Sequence, residues 1–221
     1  MIDRSQGMAE EGEGTAPSVT AEPAREAPRW EERDAWTAIA ALDESPAPVR
    51  VRDWPAGLAC LERPGLYAWW VDEAGAADLT RGLGLELPAG RVSVGQAGAT
   101  KWPSGRHNAD TLGNRIGEMH LGGKVRTSTF RWALAAILFD QLDVVVQGPM
   151  LITPASERAL SEWMREHLSV AVHPHDDRDT LAGLEQELLQ LLDPPLDLRH
   201  LLSTALRTRL TALLRRISRE A

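Results

Sequence analysis

The sequence predicts an α/β (α+β) domain: a small, three-stranded, mainly antiparallel sheet flanked by helices, with a helical insertion and a C-terminal helix. Three observations carry this. Two short β-favouring runs, residues 66–71 and 91–95, follow each other and can pair antiparallel. A third, residues 169–172, comes only after several stretches of helical apolar spacing. A chain of 221 residues, 43% hydrophobic, suffices for one sizeable core and hardly for two.

Taken in order, residues 1–46 are rich in Glu, Ala, Pro and Gly, a composition that buries too little to offset chain entropy, so this tail is expected to be mostly disordered. Within it, Trp36, Ile39, Ala40 and Leu42 allow a short docking helix between Trp30 and Leu42. Pro64-Gly65 then punctuates the chain ahead of the first strand, Leu66-Tyr67-Ala68-Trp69-Trp70-Val71. The stretch from Gly75 to Gly90 reads as a long Gly-rich connection to the second strand. A helix with Asp110 as N-cap carries Leu112, Arg115, Ile116 and Met119 and stops at Gly122-Gly123. Ser128-Thr129 opens another helix, a further one spans residues 155–168, and the third strand follows. Leu181, Leu184, Leu188 and Leu192 mark a helix halted by Pro194-Pro195. An amphipathic stripe from Leu198 to Ile217 closes the chain, with Arg207 and Arg209 among the arginines expected on its surface. These signals divide the sequence into a tail (1–46), a domain (47–198) and a basic C-terminal helix (199–221).

The net charge of −8 comes from the tail, where 11 acidic side chains face 4 basic ones, leaving 21 and 20 in the rest. A near-neutral body does not exclude a polyanionic ligand. Cys60 is the single cysteine, which rules out an internal disulfide framework, suggests a cytoplasmic setting and is expected to pack in the core. The longest apolar run, residues 132–139, is far below the roughly 20 residues that span a bilayer, so no membrane span is expected.

The order of Gly65-Leu66-Tyr67 on one strand, Ser93-Val94-Gly95 on the next and Leu112 to Arg115 on a helix resembles the GIY-YIG nuclease family. The likeness extends to Glu185, which stands twelve residues before Asp197 in the closing Pro195-Leu196-Asp197. Ser128-Thr129-Phe130-Arg131 and Met164-Arg165-Glu166-His167-Leu168 resemble a subgroup with helices inserted before the third strand.

The resemblance implies an endonuclease that hydrolyses DNA, with RNA as the lesser alternative, using one Mg²⁺ or Mn²⁺. Glu185 would be the metal ligand, a hard oxygen donor suited to such a cation. Arg115 would stabilise the phosphate and Tyr67 would position or deprotonate water, with His120 assisting. Lys101, Arg106, Lys124, Arg126 and Arg131 are candidate contacts to nucleic acid. This sequence departs from the family pattern at Ser93, where the second motif has tyrosine, at Met119, where many relatives carry histidine, and at Asp197, where asparagine is usual. These departures keep open a second reading, a degenerate domain that binds nucleic acid or protein without cutting. The nine apolar positions of the last stripe also allow a homodimer through the C-terminal helix.

Overall fold

The computed structural model describes residues 31–43, 48–58 and 60–220; the tail ahead of residue 31, with Trp30 and the disorder expected there, lies outside them. The elements in order are α1 (Glu32–Asp43), β1 (Val49–Arg50), β2 (Gly65–Val71), α2 (Glu73–Leu83), β3 (Gly90–Ala97), a π-helical stretch (Asn114–Leu121), α3 (Thr129–Ile137), β4 (Val146–Gly148), β5 (Leu151–Ile152), α4 (Pro154–His167), β6 (Leu168–Pro174), α5 (Leu181–Leu192) and α6 (Ala205–Ile217).

The three expected strands form the sheet, and β1 joins it as a fourth strand too short to signal itself, giving the antiparallel order β1-β6-β2-β3. Because side chains alternate along β2, Leu66 and Ala68 face one layer while Tyr67, Trp69 and Val71 face the other. The first layer is α1 and α5, the second α2, α3, α4 and α6. β3 is an edge strand, and its free side is covered locally by the turn after α5. There Leu196 N–H donates to Val92 O at 3.0 Å, and Asp197 Oδ2 accepts from Val94 N–H at 2.8 Å.

Several expectations are corrected. The Gly-rich connection contains α2, capped by Asp72 Oδ1 accepting from Gly75 N–H at 2.8 Å and burying Ala76, Leu79 and Leu83. Two of its glycines serve close approach: a Cβ at Gly75 would strike the Val71 and His167 side chains, and one at Gly82 the carbonyl of Ile137. In α1 the docked face is Ala35, Ala38 and Leu42, while Trp36 stays 59% exposed. Cys60 is exposed, not in the core. The last helix begins only at Ala205, where Thr204 Oγ1 accepts from Arg207 N–H at 3.2 Å, so Leu198 and Leu202 precede it and remain exposed. Leu210, Leu213 and Ile217 enter the chain's own core, covering much of the stripe that suggested a homodimer.

Arg207 is not a surface residue either. Only 4% exposed, it donates to the carbonyls of Pro194, Asp197 and Leu202 and pairs with Asp193 at 2.6 Å, stapling the turn that carries Asp197. The pairing satisfies a buried guanidinium whose desolvation would otherwise be costly.

Candidate active site

Tyr67 lies opposite Gly95 across the β2–β3 pair, and its hydroxyl occupies the space that a side chain on β3 would take: a Cβ at Gly95 would stand 2.5 Å from Tyr67 Oη. Glycine is required there by packing, since the phenol lies over the neighbouring strand toward the sheet edge. Gly65, at the start of β2, is equally constrained, because its Cβ would strike the carbonyl of His173 on β6.

Tyr67 Oη sits 2.8 Å from His120 Nε2, and His120 Nδ1 sits 2.7 Å from Ser128 Oγ. All three residues are buried. Burial pushes the Tyr67 phenol above its ordinary range; Arg115 acts against this, while Glu185, Asp197 and Asp110 add to it. The His120 imidazole is lowered to about 3 by burial, with help from the Arg115 and Arg131 cations. Both rings are therefore neutral at neutral pH.

How His120 reaches this position follows from the backbone. In an α-helix Met119, four residues beyond Arg115, would share the arginine's face. The stretch is π-helical instead, with Gly122 N–H bonded to Gly117 O at 2.7 Å, so the residue five along takes that place. The wider turn directs the His120 imidazole, rather than the Met119 side chain, toward Tyr67. The helix is capped by Thr111, whose Oγ1 accepts from Asn114 N–H at 3.2 Å, rather than by Asp110. Asp110 instead pairs with Arg115 at 2.7 Å. Among the described residues, Arg115 Nε is buried without an acceptor.

Glu185 projects from α5 into the same cleft, about 610 Å³, that Tyr67, Ser93, Arg115 and His120 line together with Asp197, Arg199 and His200. Burial, reinforced by the Asp197 charge, pushes Glu185 up to about 7 against the pull of Arg115 and Arg199. Asp197 is likewise pushed up to about 7 by burial, opposed by the Val94 N–H, the Ser93 hydroxyl and Arg207. Ser93 Oγ bonds Asp197 Oδ1 at 2.9 Å, so this residue addresses the carboxylate and not an attacking water.

A family model described as GIY-YIG catalytic domain matches residues 65–216, most of the chain and every residue of this cleft. The chain belongs to the GIY-YIG family. Its catalytic domain is a nuclease domain, and nucleases of this family use a divalent metal. No curated protein and no solved structure matches the chain.

The donor set fits such a metal. Two carboxyl groups, Glu185 and Asp197, line one cleft and are both held up by burial, a penalty on their ionised forms that a divalent cation would offset. No cluster of three or more His, Cys, Asp or Glu suited to a metal occurs among the described residues. The fit is therefore to an ion that keeps most of its waters, as Mg²⁺ does.

Of the candidate nucleic-acid contacts, Lys101 and Arg106 are exposed and face each other across an isolated bridge, and Lys124 and Arg126 are exposed just ahead of α3. Arg131 is not available. Fully buried, it pairs with Glu157 at 2.7 Å, donates to His120 O at 3.0 Å and contacts Ser161, so it anchors α3 and α4 to the helix that carries Arg115 and His120. Sequence reasoning missed Asp110, Ser128 and Arg207 as supports of the site. Asp110 and Ser128 signalled themselves only as helix starts, and Arg207 only as a surface cation.

Proposed function

We propose that the protein is a metal-dependent endonuclease hydrolysing DNA phosphodiester bonds, acting in the cytoplasm. The observation that carries this reading is the single cleft lined by Tyr67, Arg115 and Glu185, three chemically complementary groups from separate parts of the chain. Glu185, with Asp197 beside it, would hold one Mg²⁺ or Mn²⁺, which when bound would polarise the phosphate and ease departure of the alkoxide.

Arg115 offers its unaccepted Nε–H to a non-bridging oxygen, an interaction that grows as charge develops on phosphorus. Its pair with Asp110 holds the guanidinium in place meanwhile. Tyr67, neutral through burial, positions the attacking water by hydrogen bonding, and the nearby Arg115 cation favours loss of its proton once substrate is bound. Lys124 and Arg126 attract the backbone of the nucleic acid.

A second reading, binding without cleavage, is favoured by one observation: Ser93 is spent on Asp197, so the second-motif phenol has no replacement. Nicking of supercoiled, linear and branched DNA, and of matched RNA, with Mg²⁺ or Mn²⁺ separates the two. Cleavage of DNA by the wild type and a loss of about 10²- to 10³-fold in Arg115→Ala are expected. Tight DNA binding with no cleavage of any substrate would sink the enzyme reading in favour of the second.

A further inference from the structure

We propose that Ser128, the N-cap of the inserted helix α3, is a positioning residue that fixes His120 as the tautomer protonated on Nε2, so that the imidazole donates a hydrogen bond to Tyr67. The argument is an accounting of protons. Ser128 Oγ accepts from Arg131 N–H at 3.1 Å, the capping bond of α3, and lies 2.7 Å from His120 Nδ1. Ser128 is 2% exposed, and among the described residues no further partner stands within hydrogen-bonding distance of its hydroxyl.

A serine hydroxyl has one proton to give. If Nδ1–H donated to Ser128, the serine oxygen would accept twice and its own proton would be buried without an acceptor, a costly omission. If Ser128 instead donates to Nδ1, the serine and both ring nitrogens are satisfied, and the ring proton must lie on Nε2. The one proton left over is the Tyr67 O–H, which lines the open cleft, whereas a Ser128 proton would be buried. The Nε2 proton faces Tyr67 Oη at 2.8 Å. The Tyr67 oxygen then accepts, and its own O–H is left to address the cleft. A donor fixed on the phenolic oxygen favours the phenolate over the phenol.

This assigns His120 a role opposite to receiving a proton from Tyr67. His120 cannot take that proton while Nε2 is occupied, so it acts as a neutral donor that stabilises charge on the phenol. The helical insertion thereby becomes part of the catalytic apparatus: α3 supplies Ser128 to the ring, and the same helix supplies Arg131 to the carbonyl of His120. The inference rests on the proposed nuclease role only for its consequence in catalysis; the tautomer itself is independent of it.

Long-range ¹H–¹⁵N correlation spectra of the histidine rings test it in the full chain. The six histidines are told apart by the signal that disappears in His120→Gln. The expected wild-type pattern is a neutral ring with Nε2 protonated. In Ser128→Ala the pattern moves toward a mixture of tautomers, and Ser128→Thr, which keeps a hydroxyl, restores it. In the cleavage assay Ser128→Ala lowers kcat about 10-fold with KM unchanged, again restored by threonine. A wild-type ring protonated on Nδ1, or an unaltered pattern in Ser128→Ala, overturns the proposal. If Ser128→Ala does not fold, the wild-type and Ser128→Thr spectra still decide it. Absence of cleavage by the wild type would count against the nuclease reading alone, because the ring signals are read without substrate.

Discussion

The two halves of the cleft are built on different principles. On one side Tyr67, His120 and Ser128 form a buried chain of hydrogen bonds between neutral groups, each with a partner. On the other, Glu185 and Asp197 carry carboxyl groups raised by burial, Glu185 also by the Asp197 charge, and Arg115 holds a buried N–H with no acceptor among the described residues. The first half is complete in the folded chain. On the proposed function the second would be stabilised by what binds there, its unmet electrostatic demand lying where metal and phosphate would arrive. A preorganised site places its cost in folding and collects the return in the reaction.

The sharpest way to break this contrast is Glu185→Gln. It is expected to lower metal-dependent cleavage about 10³-fold, measured by nicking of supercoiled DNA. In chelator at pH 8 the same variant should melt about 3 °C higher, since it removes one of two crowded buried carboxylates at a gain of about 1 kcal/mol. Lower stability of the variant in chelator would refute the claim that this half is under strain.

Gly95→Ala probes the other half. The added Cβ meets Tyr67 Oη at 2.5 Å, so the phenol must shift while the sheet remains paired. A displacement of that kind is expected to cost about 10²-fold in kcat, with far-ultraviolet circular dichroism unchanged.

The halves should also respond to pH with opposite slopes in chelator. His120 titrates near 3 when folded and near 6.5 when unfolded, so the unfolded chain takes up its proton first. Its contribution to stability is complete above pH 6.5 and is lost as pH falls toward 3. Glu185 titrates near 7 when folded against 4.5, so the native state takes up the proton first, and stability is gained as pH falls from above 7 to about 4.5. Melting curves should therefore show the advantage of His120→Gln over wild type growing on acidification, and that of Glu185→Gln shrinking.

The smallest effect is expected outside both halves. Replacing Lys124 and Arg126 by alanine should weaken DNA binding across sequences and reduce the slope of log K against log salt by about 2. Stability should stay within about 0.5 kcal/mol, because both side chains are exposed.

Much of this was legible in the sequence, and the remainder was hidden for definable reasons. The three long strands and the helices that bury leucine announce themselves by period, and Glu185 is singled out by the resemblance to the family, which expects a glutamate at that distance before Asp197. His120 was named, but its register was not legible, because spacing arguments assume α-helical turns and the stretch after Asn114 is wound wider. Arg131 and Arg207 read as surface cations, since nothing local reveals that Glu157 and Asp193 will meet them after folding. The helix α2 was concealed by its glycines, which look like loop residues until the neighbours that press on them are known.

The turn held by Arg207 has a consequence for the timing of assembly. Asp197 is positioned from residue 207, and α6 completes the core around Leu210, Leu213 and Ile217. A chain emerging from synthesis has Tyr67 and Arg115 long before it has the means to seat the second carboxylate. The cleft therefore cannot be completed before residue 207 is available, and a nascent chain lacking its final helix holds the ingredients of the site without the staple that seats Asp197.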